Sequence, residues 1–185
     1  MKEAGNGPNR PWDQVWKDDD GDRFDLMIEL SLIGVRVELP SNQPIVLLKE
    51  VDGERYLPIW IGAVEATAIA FALQGIQTPR PMTHDLMRDI LNQTNTDVER
   101  IVINDLVEQT FYAAIRMTAN SQVSEVSSRP SDAIALAVRI NAPIFASEEV
   151  IEQAGIELRD DEETEVEKFR EFLDQVTPED FASDA

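Results

Sequence analysis

PIVLLKEVDGERYLPIWIGAVEATAIAFALQG, residues 44–75, holds the pattern that decides the fold. Two runs rich in β-branched and aromatic residues flank Asp52-Gly53, a dipeptide that tolerates positive φ at both positions, and this combination predicts a β-hairpin. The alanine-rich run at 62–75 predicts a helix that ends at Gly75. Because this helix is apolar on nearly every side, we expect it to be buried, and its alanines permit close approach to the sheet or to another helix.

Strand and helix patterns continue on both sides of this stretch. The strand at 26–39 is expected to have an irregularity at Gly34. Together with the two strands of the hairpin, it makes three strands before any helix. A second group of strands leads into a helix that opens with Pro130. The further elements predicted are strands at 26–39, 98–106, 110–117, 122–128 and 144–147, and helices at 129–140 and 148–155. This order predicts an α/β domain of the α+β kind, with alanine-rich helices packed on a sheet.

Two of the predicted helices share a pattern at an offset of 65 residues. ATAIAFAL at 66–73 and SDAIALAV at 131–138 have the same alternation of alanine with larger apolar side chains, and each follows a group of strands. Either a strands-then-helix unit has been duplicated, or two buried helices have converged on an alanine-rich composition.

The only histidine, His84, lies in RPMTHDLMRDIL at residues 80–91. Thr83 is the predicted N-cap of a helix whose polar side chains lie at i,i+4 spacing. We expect Leu86, Met87, Ile90 and Leu91 to be buried, and His84, Asp85, Arg88 and Asp89 to face solvent. For His84, and for Glu65 in the helix at 62–75, a first-turn structural role and a role in a functional site both stay open.

The composition limits the chemistry that this chain can perform. Its 185 residues contain no cysteine, which excludes disulfides, thiolate zinc sites and cysteine nucleophiles. Motifs for P-loop nucleotide binding, dinucleotide binding, serine hydrolysis and paired-histidine zinc binding are absent from the sequence. No apolar run approaches the ~18 residues that span a bilayer, and no apolar leader is present, so we expect a cytoplasmic protein that does not enter the membrane.

The net charge of −20 is concentrated at the two ends of the chain. Residues 26–158 carry 9 Lys and Arg against 18 Asp and Glu, a charge of −9, while residues 1–25 carry −3 and residues 159–185 carry −8. This balance argues against strong nucleic-acid affinity, which normally needs a basic patch. We divide the chain into an acidic N-terminal arm at 1–25, a domain at 26–158, and an acidic amphipathic helix and tail at 159–185.

Both end segments carry features of docking elements. The i,i+4 spacing of Trp12 and Trp16 would put both rings on one side of a short helix in the N-terminal arm, and the C-terminal segment has apolar residues at helical spacing. Each segment either packs on the protein's own surface or contacts a protein partner. For the C-terminal segment, occlusion of a basic cleft is a further alternative.

Three motifs occur in a fixed order among the strand groups: LPIWIGAVEATAIAFALQG, RPMTHDLM and SSRPSDAIALAVR. With these motifs in this order, the chain resembles the bifunctional nuclease domain family. The resemblance covers about residues 26–158 and extends to the actinobacterial type of the family, in which an acidic tail follows the domain. It implies a mixed, largely antiparallel sheet, a homo-oligomer, and hydrolysis of phosphodiester bonds in DNA and RNA.

Such hydrolysis commonly uses Mg²⁺ or Mn²⁺ held by carboxylates, and this chain has carboxylates near three predicted helix starts. We expect Glu65, Asp85, Asp89 and Asp132 as metal ligands, and Glu65, His84, Asp85 and Asp132 as catalytic residues. His84 is a candidate base, acid or metal ligand. Arg80 and Arg129 either clamp phosphate or neutralise neighbouring carboxylates. The convergence of the helix starts at one place is assumed here.

A second function fits the charge balance better than the enzyme does. An acidic, oligomeric domain with two docking segments is also typical of a non-catalytic interaction or regulatory module that binds a basic partner. The family resemblance favours the nuclease.

Overall fold

The computed structural model describes residues 27–38 and 41–157. It contains eight strands and four helices within these ranges. The strands are β1 (Met27–Glu38), β2 (Gln43–Glu50), β3 (Arg55–Trp60), β4 (Thr96–Val107), β5 (Thr110–Ala119), β6 (Gln122–Ser128), β7 (Ile144–Ser147) and β8 (Ile156–Glu157). The helices are α1 (Ala63–Leu73), α2 (Thr83–Gln93), α3 (Pro130–Ile140) and α4 (Glu148–Ala154). None of these helices is long and apolar enough to cross a membrane.

All eight strands form one sheet in the order β6-β5-β4-β7-β1-β2-β3-β8. Neighbouring strands are antiparallel except at β4 and β7, which pair in parallel at the centre. The predicted mixed, largely antiparallel sheet with α+β composition is therefore confirmed. The irregularity at Gly34 is also confirmed, because the register of β1 against β2 shifts between Leu32 and Gly34.

The core lies between one face of the sheet and the helices. Alternate residues of the central strands, such as Val46, Ile101 and Ile103, meet Ile134 of α3 and Ile69 of α1, and all five are buried. Helix α3 occupies the middle of the helical layer, where it contacts both α1 and α2. The close approach of alanine-rich α1 and α3 agrees with the sequence prediction.

The two halves of the sheet have the same order of elements, three antiparallel strands followed by a helix. Strands β1, β2 and β3 form an antiparallel meander followed by α1, and strands β4, β5 and β6 form another that leads into α3. Residues related by the offset of 65 are buried in both helices, since Ala68 and Ile69 correspond to Ala133 and Ile134. The structure therefore has a strands-then-helix arrangement in both halves, and duplication and convergence remain alternative origins of it.

Helix α2 lies in a different orientation from the one predicted. His84 is buried, whereas Leu86 and Ile90 are exposed, which reverses the expected burial at these three positions. His84 and Asp85 in the first turn of α2 contact α3, while Met87 and Leu91 pack against the core as predicted. Met82 rather than Thr83 is the N-cap. The backbone N–H of Met82 donates a hydrogen bond to the Asp85 carboxylate at 2.9 Å.

Helix α1 is also less buried than its composition predicts. Its inner side is buried, but Val64 is 78% exposed and Leu73 is exposed as well. The helix lies at the side of α3, so only the stripe facing α3 and the sheet is covered. Gly75 follows the helix at φ 65° and Ile76 donates to the Phe71 carbonyl, which confirms the predicted helix end.

The predictions for the N-terminal arm at 1–25 and the acidic segment at 159–185 lie outside the described residues.

Candidate active site

The first turns of three helices meet at one place. Glu65 is the third residue of α1, His84 the second of α2 and Asp132 the third of α3, while Arg129 is the N-cap of α3. We call these four residues the helix-start cluster. Pro130 at the first position of α3 suits this arrangement, because its fixed φ begins the helix directly after Arg129.

Asp132 stands at the centre of the cluster. Its Oδ2 accepts a hydrogen bond from Arg129 Nε at 2.7 Å, and its Oδ1 accepts one from an Arg129 terminal nitrogen at 3.0 Å. The same terminal nitrogen lies 3.0 Å from Glu65 Oε1. His84 Nε2 lies 3.2 Å from Asp132 Oδ1, and in the tautomer with hydrogen on Nε2 it donates to this oxygen. Arg129 therefore bridges two carboxylates, and His84 supports one of them.

The four side chains differ in their access to solvent. Arg129 is 65% exposed, Asp132 27% and Glu65 18%, whereas the side chain of His84 is only 9% exposed. A ligand that approaches from solvent meets the guanidinium first and the carboxylates next. His84 lies behind Asp132, so its place suits the orientation of that carboxylate better than direct contact with a substrate.

The contacts in the cluster shift two pKa values. Partial burial raises the pKa of Asp132, but the hydrogen bonds from Arg129 and His84 and their charges outweigh burial, so the pKa is lowered. The hydrogen bonds to Asp132 raise the pKa of Arg129 from its already high ordinary value. Asp132 is consequently an anion at neutral pH, and its ion pair with Arg129 is formed.

Three of the predicted site residues lie away from the cluster. Asp85 follows His84 directly, yet its Oδ1 accepts from Arg139 Nε at 2.6 Å. Asp89 pairs with its neighbour Arg88 at 2.8 Å. Arg80 is exposed in the loop between α1 and α2. The sequence placed Asp85 and Asp89 at or near a helix start, but residues in successive positions of a helix point in directions about 100° apart, so Asp85 and His84 serve different sites.

The four carboxylates that were predicted as metal ligands do not lie together, because only Glu65 and Asp132 belong to the helix-start cluster. Within residues 27–38 and 41–157, no group of three or more His, Asp and Glu side chains is arranged to hold a metal ion. Glu65 and Asp132 do share one neighbourhood, but the Arg129 guanidinium occupies the position between their oxygens. The Mg²⁺ or Mn²⁺ dependence stays a prediction.

Arg139 was missed by the sequence analysis. Its side chain is 5% exposed, and it donates to Asp85, to the Ala135 carbonyl and to the Ala68 carbonyl. These bonds connect α1, α2 and α3. Burial raises the pKa of Asp85, but the Arg139 hydrogen bond and the Met82 N–H outweigh it, so the pKa is lowered. The available signal was one arginine in the last turn of an otherwise apolar helix, which requires a buried partner.

The helix-start cluster lies within the part of the chain that matches a known family. Residues 46–159 match the model of the bifunctional nuclease domain, and the chain belongs to this family. It is 48% identical over 164 residues to an uncharacterized protein of Mycobacterium tuberculosis, and the match covers 84% of this chain and 98% of that relative. The family resemblance drawn from the sequence motifs is thus confirmed.

Two plant proteins are more distantly similar. The chain is 26% identical over 127 residues to Bifunctional nuclease 2 of Oryza sativa subsp. japonica, and the match covers 66% of this chain and 39% of that protein. It is 27% identical over 108 residues to Bifunctional nuclease 1 of Arabidopsis thaliana, covering 56% of this chain and 33% of that protein. The match therefore spans roughly a third of the length of these plant relatives.

Proposed function

We propose that this protein is a nuclease that hydrolyses phosphodiester bonds of DNA and RNA with low sequence specificity, and that the helix-start cluster is its active site. The observation that carries the proposal is the bridge from Glu65 through Arg129 to Asp132, at the N-termini of α1 and α3, in a member of the bifunctional nuclease domain family. Free N–H groups and helix dipoles at such ends favour a bound phosphate.

Arg129 is the proposed phosphate ligand. Its guanidinium is the most exposed group of the cluster, and a planar fork of N–H donors matches the non-bridging oxygens of a phosphodiester. The positive charge stabilises the charge that develops on these oxygens as water attacks. Binding of phosphate weakens the contact of Arg129 with a carboxylate and leaves that carboxylate available to water.

Glu65 and Asp132 are the proposed proton acceptors. The oxygen of an attacking water forms the new bond to phosphorus while the bond to the leaving ester oxygen breaks. One water proton passes to a carboxylate of the cluster, and the leaving oxygen takes up a proton from the carboxyl so formed or from solvent. His84 holds Asp132 in place and is a positioning residue in this proposal.

Residues 26–158 form the catalytic domain in our proposal, and the protein acts in the cytoplasm as a homo-oligomer. Large apolar side chains that are exposed on the described part of the chain support self-association, and Val64, Leu86, Ile90 and Trp60 are examples. Light scattering behind a size-exclusion column measures the subunit count, and a monomer at all concentrations contradicts the oligomer.

A cleavage assay tests the enzyme proposal. Highly purified full-length protein is incubated with single-stranded DNA and with RNA in EDTA, Mg²⁺ or Mn²⁺, beside the double variant Glu65→Gln/Asp132→Asn. We expect wild type to cleave both substrates and the variant to lose at least 100-fold in rate, in line with removal of a general base. Comparison of the metal and EDTA arms tests the predicted metal dependence.

Asp89→Asn is the matched control, because it removes an aspartate of α2 that pairs only with Arg88 among the described contacts. The control is expected to cleave at the wild-type rate. Equal cleavage by wild type and the double variant contradicts the proposed site and indicates a contaminating nuclease.

The second candidate, a non-catalytic interaction module, is favoured by a different observation. Both carboxylates of the helix-start cluster already pair with Arg129, and the exposed apolar residues of α1 and α2 offer a contact surface. Absence of cleavage by wild type in every metal arm, together with an oligomer that dissociates in Leu86→Ser/Ile90→Ser, selects this function over the nuclease.

A further inference from the structure

A groove separate from the helix-start cluster lies on the other side of the first turn of α2. It has a volume of about 460 Å³, and α1, the loop after it, α2 and the end of α3 form its walls. Its lining residues include Phe71, Gln77, Thr78, Asp85, Arg88 and Arg139. This volume lies in the range of about 300–1,000 Å³ that is usual for small-molecule sites.

The floor of the groove is rigid and polar. Arg139 is almost fully buried there, and its bonds to Asp85, to the Ala135 carbonyl and to the Ala68 carbonyl hold the three helices at fixed spacing. Three bonds fix the guanidinium in one orientation before any ligand arrives. The groove is therefore formed in advance, as small-ligand sites usually are.

The walls combine three kinds of group. Phe71, Ile76 and Val138 are apolar lining residues, and Gln77 supplies an amide. The Thr78 hydroxyl donates to the Arg80 carbonyl, and the Arg88 guanidinium on the α2 side pairs with Asp89. A flat heterocycle can stack on an aromatic ring and exchange hydrogen bonds with an amide, and the phosphate attached to it pairs with a guanidinium. A purely apolar ligand would cover the Gln77 amide and the paired charges of the groove without offering them a hydrogen bond.

The groove and the cluster are neighbours along the chain. Asp85 lines the groove and His84 belongs to the cluster, so their Cα atoms are about 3.8 Å apart across one peptide. The two sites thus flank a single helical turn. A strand whose phosphate lies at Arg129 would pass this turn to place a base in the groove.

We propose that this groove is a nucleobase subsite, which accepts the base of a nucleotide next to the scissile phosphate. The assignment of its ligand rests on the proposed nuclease function. Stacking on Phe71 and contacts with the adaptable Gln77 side chain accept purines and pyrimidines alike, which explains low sequence specificity.

Binding of mononucleotides to the full-length protein tests the subsite without any cleavage. Isothermal titration with AMP, UMP, ribose 5-phosphate and inorganic phosphate separates base recognition from phosphate recognition. We expect AMP and UMP to bind at least 10-fold more tightly than ribose 5-phosphate. Equal affinity of all phosphate-bearing probes overturns the subsite.

Ala72→Phe and Leu73→Phe form a matched pair on neighbouring positions of α1. Ala72 lines the groove, so its replacement fills the space beside Phe71, whereas Leu73 is exposed and does not line it. We expect Ala72→Phe to weaken AMP binding at least 10-fold and to raise KM for a short oligonucleotide with kcat nearly unchanged. Leu73→Phe is expected to behave as wild type. Unchanged AMP affinity in folded Ala72→Phe overturns the proposal.

Gln77→Ala provides a second variant on an exposed loop position, in case Ala72→Phe does not fold. Its expected effect is a 3- to 10-fold loss of AMP affinity, and no loss overturns the assignment of Gln77 to the base. The two proposals fail separately. Base-dependent binding without cleavage contradicts the nuclease alone, while cleavage with base-independent binding contradicts the subsite alone.

Discussion

His84 and Asp132 lie 48 residues apart in the chain, and their side chains meet with Nε2 at 3.2 Å from Oδ1. The contact joins the first turns of α2 and α3, and His84 is buried behind the more exposed carboxylate. A histidine in this place orients its partner and limits the directions in which the carboxylate can turn.

His84→Ala is expected to lower the cleavage rate about 10- to 100-fold, the range typical of a lost orienting partner. His84→Gln, which can place an amide N–H near Asp132, should recover part of the rate. The measurements are kcat and KM for both variants, with circular dichroism to confirm the fold. A loss confined to KM, or no recovery with glutamine, contradicts the orienting role.

The lowered pKa of Asp132 predicts a dependence of stability on pH. An aspartate with a lower pKa in the folded than in the unfolded chain stabilises the fold above its unfolded pKa of about 3.9, and this contribution is lost as pH falls through the folded pKa. We expect the wild type to lose more stability than Asp132→Asn as the pH falls from about 5 to about 2. Urea unfolding at a series of pH values measures the difference. Parallel curves for the two proteins contradict the pKa shift.

Gly62→Ala tests the position of Glu65. A Cβ at Gly62 would collide with Glu65 Oε2, and the end of that side chain must move away from its present position. Since Gly62 has φ −75°, alanine fits the backbone and the fold should persist. We expect cleavage to fall several-fold with a melting temperature close to wild type. Wild-type cleavage contradicts a role for Glu65 at this position.

Asp85→Asn is expected to lower the free energy of unfolding by about 2–4 kcal/mol, because it leaves the buried Arg139 charge without its anion. Asp89→Asn, whose pair with Arg88 is more exposed, should change it by less than about 1 kcal/mol. Chemical denaturation of the two variants provides the comparison. Equal effects contradict the assignment of Arg139 as the buried connection between three helices.

The sequence was sufficient for the elements but not for the orientation of α2. The predicted hairpin of β2 and β3 is present, but residues 51–54 connect the strands and neither Asp52 nor Gly53 has a positive φ. The helix end at Gly75 and the helix start at Pro130 are as predicted, because cap chemistry acts within a few residues. Apolar periodicity placed Leu86 and Ile90 inside, yet they are exposed. Their packing depends on α3, which follows some 40 residues later, and no local pattern contains that information.

The same distinction applies to the candidate site. Helix-start positions pointed to Glu65, His84 and Asp132, which the fold brings together, and equally to Asp85, which the fold directs to Arg139. All four residues lie near a helix N-terminus, and three of them are carboxylates, so residue type and position do not separate them. The partner decides the role, and partners from other helices become known only with the tertiary structure.

Removal of the acidic segment 159–185 should strengthen nucleic-acid binding. This segment carries 3 Lys and Arg against 11 Asp and Glu, so its loss changes the net charge from −20 to −12. Weaker repulsion of phosphates raises affinity, and the gain should shrink as salt screens it over a Debye length of about 10 Å at 0.1 M. Fluorescence anisotropy with labelled single-stranded DNA at several salt concentrations measures both effects for full-length protein and a variant ending at Leu158.

A charge-neutralised full-length variant, with the acidic residues of the segment changed to amides, separates charge from occlusion. If it binds as tightly as the shortened protein, charge accounts for the gain; if neither binds more tightly than wild type, the segment does not regulate access to nucleic acid.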